Sequence, residues 1–307
     1  MKLKAKVPLI YDGFTLLDYI TARFTYLTKE EWQKRIAEER HSRNGEILDE
    51  NSIVRHLDLI QYDMPDEYLD EPPANLDYKI LIETKDFLVI DKPANLMVHK
   101  HKTNIRNNLI YHLRENHIPP FPTANIVNRL DKNTSGIVLL ALNKKALRIL
   151  SMQFAERSVK KTYYAIVIGT PSPLSGIIRT PIGKMENPSL QDIDVGRFCA
   201  VNLPNSKDCE THYETIRSID GHSLLKVFPI TGRTHQIRVH LAHIGVPIVA
   251  DPAYGIYSQE YSDYCAARNI SPIISERHLL HCSELEFSFG AANIRAVSPL
   301  PKEFEII

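Results

Sequence analysis

The sequence predicts an α+β protein in two parts, on three observations. Short strand-like runs bounded by Gly, Asn and Asp turn signals recur along the chain, helical spacing is confined to a few segments, and a paired-proline break falls near residue 72. A small α/β unit over residues 1–71, a linker over 72–78 and a main domain over 79–307, built on a mostly antiparallel sheet, are expected.

In the first unit, residues 15–25 have the spacing of a short amphipathic helix. Thr28-Lys29-Glu30-Glu31 is a capping-box pattern that opens a second helix with Trp32 and Ile36 on one face. Asn44-Gly45 marks a turn, followed by Glu46-Ile47-Leu48 and a strand over residues 57–62. Asp70-Glu71-Pro72-Pro73-Ala74-Asn75 has linker chemistry, because paired prolines stiffen an extended connection and cannot donate to a strand ladder.

In the main domain, residues 79–83 and 87–91 read as a hairpin across Thr84-Lys85-Asp86. The apolar run 137–142 reads as a buried strand, and Asn143 caps a helix in which Leu147, Leu150 and Phe154 recur at helical spacing. Residues 161–169 alternate and are rich in β-branched and aromatic side chains, as a strand requires. Residues 171–209 predict loops with one short strand near 176–180. Residues 212–216 and 223–228 pair through Asp220-Gly221. Residues 231–245 predict a helix with Ile237, Leu241 and Ile244 on one face and Gly245 as its stop, and strands over 277–289 close the domain.

Lys and Arg number 37, as do Asp and Glu, but they are unevenly spread. Residues 79–170 carry 15 basic against 6 acidic side chains, residues 1–71 carry 10 against 15, and residues 171–307 carry 12 against 15. The central excess fits a surface facing a polyanion, and equally a set of solvated helices. No apolar stretch approaches the roughly 20 residues that span a bilayer, and the basic start breaks at Tyr11-Asp12-Gly13 without a cleavage site, so a cytoplasmic protein with no membrane partner is expected. Cys199, Cys209, Cys265 and Cys282 form no C-x-x-C pair. Neither a Gly-x-Gly-x-x-Gly nor a P-loop pattern occurs, which points to a reaction without a cofactor.

The stretch richest in chemistry is Asn128-Arg129-Leu130-Asp131-Lys132-Asn133-Thr134-Ser135-Gly136, at the mouth of the apolar strand. An acid beside an Arg has its pKa lowered by about one to three units, so Asp131 stays ionised at neutral pH and suits a nucleophile or an electrostatic stabiliser. From the residues alone, a structural ion bridge is the competing reading. A metal is not expected: His99 and His101 have no further ligand nearby, and His240 lies roughly 140° around a helix from His235, without the Glu of a His-Glu-x-x-His hydrolase.

Asn128-Arg129-Leu130-Asp131 with Thr134-Ser135-Gly136 resembles the active-site motif of the RluA family of pseudouridine synthases, in which His usually stands where this chain has Asn128. The likeness extends to Leu88-Val89-Ile90-Asp91-Lys92-Pro93, Lys161-Thr162-Tyr163 and Gly169, Gly232-Arg233-Thr234-His235-Gln236-Ile237-Arg238, and Leu279-Leu280-His281-Cys282, in that order over residues 79–307. It implies a bent, mixed but mostly antiparallel sheet with a cleft across its middle, and isomerisation of uridine in structured RNA without metal or cofactor. Asp131 is then the catalytic aspartate, attacking C6 of the uracil or C1′ of the ribose; Tyr163 stacks on the base and assists proton removal; Arg233 forms the ion pair that positions Asp131. Asn128, Arg129, Thr134, Ser135, Gly136, His235, Gln236 and Arg238 fall to substrate binding, and the partner is ribosomal or transfer RNA met by a monomer. The small unit resembles a degenerate alpha-L RNA-binding motif, with Lys29, Lys34, Arg35, Arg40 and Arg43 available to RNA. A non-catalytic RNA-binding protein on the same scaffold and a metal hydrolase using the histidines are the rivals.

Overall fold

The α+β reading holds in the computed structural model, which describes residues 2–25, 27–63, 71–100, 104–184, 198–200, 204–256 and 259–306. Two compact units form. The smaller runs to Pro72 and also includes Asn104 and Ile105, and the larger comprises Pro73–Lys100 and Arg106–Ile307.

The smaller unit contains β1 (Lys2–Lys6), α1 (Leu16–Arg23), α2 (Lys29–Ala37), β2 (His41–Arg43), β3 (Glu46–Ile47) and β4 (Leu59–Asp63), with the strands ordered β1-β4-β2-β3. Thr15 caps α1 by accepting from the Asp18 N–H, and Thr28 and Glu31 complete the expected capping box of α2. Trp32 and Ile36 pack with Leu16, Leu17, Tyr19 and Ile20 in its core. The basic opening of the chain is a strand, since β1 pairs antiparallel with β4 and so finds ladder partners that local sequence does not reveal.

The larger unit contains β5 (Lys79–Glu83), β6 (Phe87–Lys92), α3 (Leu109–Tyr111), β7 (Asn125–Ile126), β8 (Ser135–Ala141), α4 (Lys144–Ala155), β9 (Lys160–Ile168), β10 (Ser175–Ile178), β11 (Ile182–Lys184), β12 (Phe198–Ala200), β13 (Thr211–Ile219), β14 (His222–Pro229), α5 (Gln236–His243), α6 (Gln259–Arg268), β15 (Leu280–Phe289) and β16 (Ala292–Val297). Its main sheet runs β10-β13-β14-β9-β15-β8-β6-β5, with β16 on β15 and β7 on β8. Every pairing is antiparallel except that of β8 with β15.

β8 is buried along its whole length because the sheet is covered on both faces there. Ile137, Leu139 and Ala141 enter one cluster with α4 and α5, while Val138 and Leu140 enter another with Leu109 and Leu113. Alternation of side chains across a strand makes the unbroken apolar run necessary. Ile237 and Leu241 hold α5 against the first cluster, with Ile244 packed beside them. The helix is shorter than expected, since residues 231–235 form a loop and His235 takes a left-handed conformation, φ 57°, before Gln236. Helix α6 and the two-stranded β11–β12 ribbon carry no strong local pattern in the sequence, and their partners lie elsewhere in the chain.

Among the described residues, no helix is long and apolar enough to cross a membrane. His101 of the His99–His101 pair lies outside the described residues. His240 is buried and faces Thr211 and Cys209.

Candidate active site

Asp131 opens a turn that leads into β8, closed by the Thr134 N–H donating to the Asp131 carbonyl at 3.2 Å. Asn and Thr suit such a turn because their short polar side chains satisfy nearby groups. The Asp131 side chain, at the start of this turn, remains 29% exposed and so has one open side.

On its other side lies Arg238, from the first turns of α5. Its Nη1 donates to Asp131 Oδ2 at 2.9 Å, while Nε and Nη2 donate to both oxygens of Asp251 at 2.7 and 2.8 Å. Asp251 is fully buried and also accepts from the N–H groups of Ala253 and Tyr254. A planar guanidinium with several fixed donors can serve two carboxylates at once, which a Lys cannot. Burial by itself would raise the Asp131 carboxyl, but the fields of His235 and Arg238 outweigh it and hold the acid below its ordinary range. Asp131 is therefore a carboxylate at neutral pH.

His235 Nε2 stands 3.8 Å from Asp131 Oδ2, and its Nδ1 shares a 2.8 Å hydrogen bond with the Tyr254 hydroxyl. The edge of Phe198 meets the His235 ring at 5.7 Å, and the Arg238 guanidinium lies 5.1 Å from the centre of the Tyr254 ring. Burial draws His235 below its ordinary value, against the opposing pull of the Asp131 carboxylate.

The residues after Asp131 are held from behind. Lys92, fully buried, donates to the carbonyls of Pro93, Leu96 and Lys132 at 2.8, 2.9 and 3.1 Å, and Arg277 Nη1 donates to the Asn133 carbonyl at 3.2 Å. Thr134 Oγ1 bonds His278 Nε2 at 2.8 Å and Ser135 Oγ bonds His281 Nδ1 at 2.9 Å. Burial lowers Lys92 to about 7, His278 to about 3 and His281 to about 4.

Several expectations change on this geometry. The ion pair to Asp131 comes from Arg238; Arg233 is exposed and donates through Nε to the Asp208 carbonyl at 3.3 Å. The two lie five residues apart, and the late start of α5 turns Arg238 inward and leaves Arg233 on the preceding loop. Thr134 and Ser135 are buried, with their hydroxyls bonded to the imidazoles of His278 and His281. Gly136, φ 109°, crosses β15 so closely that an added Cβ would stand 2.1 Å from the Cys282 carbonyl oxygen, which makes it a packing residue. Gln236 is buried and ties together Thr231, Arg233, Glu210 and Thr211. Asn128 accepts from the Leu139 N–H at 2.6 Å and donates to the Ile137 carbonyl at 3.3 Å, so its amide clasps β8. Tyr163 is 9% exposed, and burial with the nearby Cys282 thiol raises its phenol well above the ordinary value. It stays protonated and is a poor base. Arg129 is exposed, its Nη1 3.3 Å from His99 Nε2.

Asp251, Tyr254, Phe198 and His278 escaped the sequence reading. Asp251 precedes Pro252, a turn signal that says nothing of a buried carboxylate; the other three sit in segments whose partners are distant in the chain.

Comparison with known proteins identifies the family. Residues 86–243 match the family described as RNA pseudouridylate synthase. The chain is 32% identical over 282 residues to a ribosomal large subunit pseudouridine synthase D of Pseudomonas aeruginosa, covering 85% of this chain and 82% of that protein. It is 33% identical over 214 residues to a ribosomal large subunit pseudouridine synthase C of Vibrio parahaemolyticus, covering 70% and 62%. Among solved structures, human RNA pseudouridylate synthase domain containing 1 superposes with a TM-score of 0.57 at 25% identity, over 75% of this chain and 86% of that one. A match that begins at the β5–β6 hairpin, runs through the Asp131 turn and ends with α5 places the chain in the RluA family of pseudouridine synthases, enzymes that isomerise uridine in RNA.

Proposed function

We propose that this enzyme converts uridine to pseudouridine in large-subunit ribosomal RNA, with Asp131 as the catalytic aspartate. The observation that carries the chemistry is the ionised, partly exposed Asp131 held at 2.9 Å by Arg238, whose other donors are committed to Asp251. Asp131 supplies the nucleophilic carboxylate, which bonds to C6 of the uracil or C1′ of the ribose and is expelled again, as the carboxylate, before the product leaves. The N1–C1′ bond breaks, the base turns, a C5–C1′ bond forms, and the proton leaving C5 is balanced by one gained at N1. Tyr163 contributes a ring face for the base, and exposed Arg129 and Arg233 contact the phosphate chain.

A uridine in a stem must be flipped out at a cost of a few kcal/mol, and stacking on an aromatic side chain offsets roughly 1–3 kcal/mol of it. The names of the relatives support ribosomal over transfer RNA, and a cytoplasmic enzyme is consistent with that substrate. Asp131→Asn is expected to abolish pseudouridine formation while RNA binding survives; tritium release from C5-labelled RNA of cells lacking the gene reads it directly, and a variant that still releases tritium removes Asp131 from the mechanism. Mapping pseudouridines in ribosomal and transfer RNA from cells with and without the gene identifies the substrate, and a site lost only from transfer RNA rejects the ribosomal assignment.

A further inference from the structure

The four residues after Asp131 are each gripped by a different basic side chain, and one grip differs from the rest in what it controls. Lys92 and Arg277 take backbone carbonyls, and the His281–Ser135 bond lies at the base of β8. His278 takes the side chain of Thr134, the residue whose N–H closes the turn onto the Asp131 carbonyl. Both partners of this bond are 2% exposed. We infer that His278 is a positioning residue: through its hydrogen bond to Thr134 it fixes the turn that aims the Asp131 carboxylate across the open side of the site. The inference rests on Asp131 being the catalytic aspartate.

Among the described residues the Asp131 carboxylate is held at bonding distance by one Arg238 nitrogen, with His235 Nε2 3.8 Å away, while Nε and Nη2 of Arg238 bond Asp251. The direction of the carboxylate therefore follows the backbone of the turn. The chemistry of position 278 fits this task. His278 sits in the fields of Arg238, Asp251, Asp131 and Arg277, where a Lys or Arg would add a third cation beside the ion-pair network. Burial and the Arg238 field draw its pKa to about 3, so the ring supplies a hydrogen bond without supplying charge. An apolar residue there would leave the buried Thr134 hydroxyl without this partner, and the turn would be free to relax.

The test uses the full-length enzyme and C5-tritiated ribosomal RNA from cells lacking the gene, in single-turnover reactions with enzyme in excess. His278→Leu and Thr134→Val are each expected to lower the rate at saturating enzyme by about 10- to 100-fold, the scale set by small misplacements of a reacting group. The enzyme concentration giving half the maximal rate stays within about 2-fold. The double variant is no slower than the worse single one, because both remove the same bond. His278→Gln, which keeps a donor and an acceptor, recovers most of the rate. Losses that multiply in the double variant, or that fall on half-saturation instead of rate, overturn the inference. Should His278→Leu fail to fold, Thr134→Val, nearly isosteric, decides: a slow variant with wild-type thermal melting supports it and a wild-type rate rejects it. Asp131→Asn run alongside separates the two levels. An inert Asp131→Asn with wild-type rates in both His278→Leu and Thr134→Val rejects His278 alone, whereas turnover by Asp131→Asn rejects the reading of Asp131 and this inference with it.

Discussion

Asp131 and Arg238 lie 107 residues apart in sequence and 2.9 Å apart in space, and the identity of that pair changes what substitutions should do. Arg238→Lys loses the planar fork that reaches both carboxylates, so the rate of tritium release should fall by about 100-fold or more. Arg233→Ala should leave that rate within about 3-fold and weaken RNA binding in a salt-dependent way, as for an exposed phosphate contact; a loss in rate matching that of Arg238→Lys would restore Arg233 to the ion pair. The buried imidazoles contribute to the acid sensitivity, beside carboxylates such as Asp251 that Arg238 holds below their ordinary range. His41, His278 and His281 have folded pKa values of about 4, 3 and 4, below the ordinary 6.5 of the unfolded chain. The unfolded state therefore binds more protons between those limits. The stability is fully present above pH 6.5 and is lost as pH falls toward the folded values. One pKa unit corresponds to about 1.4 kcal/mol, so each buried imidazole contributes a loss on the order of a few kcal/mol. His281→Gln should flatten the fall in stability between pH 6 and pH 4, roughly the window those values define, as read from urea unfolding at a series of pH values.

At the scale of elements, caps and periodicity were legible because their causes are local. Thr28 and Glu31, Asn143 with its helix, and the β13–β14 hairpin through Asp220-Gly221 all stand where short-range chemistry put them. The Asn143 side chain accepts from the Ala146 N–H and donates to Asp86 Oδ1, joining the start of α4 to the β5–β6 hairpin. Asn143→Ala should cost about 1–2 kcal/mol in a denaturant titration, near the upper end for an N-cap because a second bond goes with it. Helix α5 shows the opposite case. The sequence predicts a helix from Thr231 although its apolar face, Ile237, Leu241 and Ile244, begins only at Ile237, and the chain stays in a loop until the left-handed His235, with Gln236 bonded to Glu210, Thr211 and Thr231. That delay decides which Arg faces Asp131.

For the molecule as a whole, the parallel contact of β8 with β15 is the join on which the larger unit closes. It brings residues 135 and 136 beside 281 and 282, and only a residue without a Cβ fits at Gly136. Gly136→Ala should cost more than about 3 kcal/mol in urea unfolding, since the obstacle is backbone and the φ is left-handed; an Ala variant of native stability would mean that β15 can move away. Turn residues, alternation and capping act over a few residues, so the α+β class, most strands of the sheet, the helix caps, and Asp131 at the mouth of a buried strand are all legible in the sequence. Its motifs also resembled the right enzyme family. Only the tertiary structure decided that Arg238 and not Arg233 meets Asp131, that Thr134, Ser135, Gly136 and Gln236 face inward, and that Asp251 and His278 stand behind the site. Those are contacts between segments more than ten residues apart, and no local periodicity encodes which side chain a distant strand will bring against it.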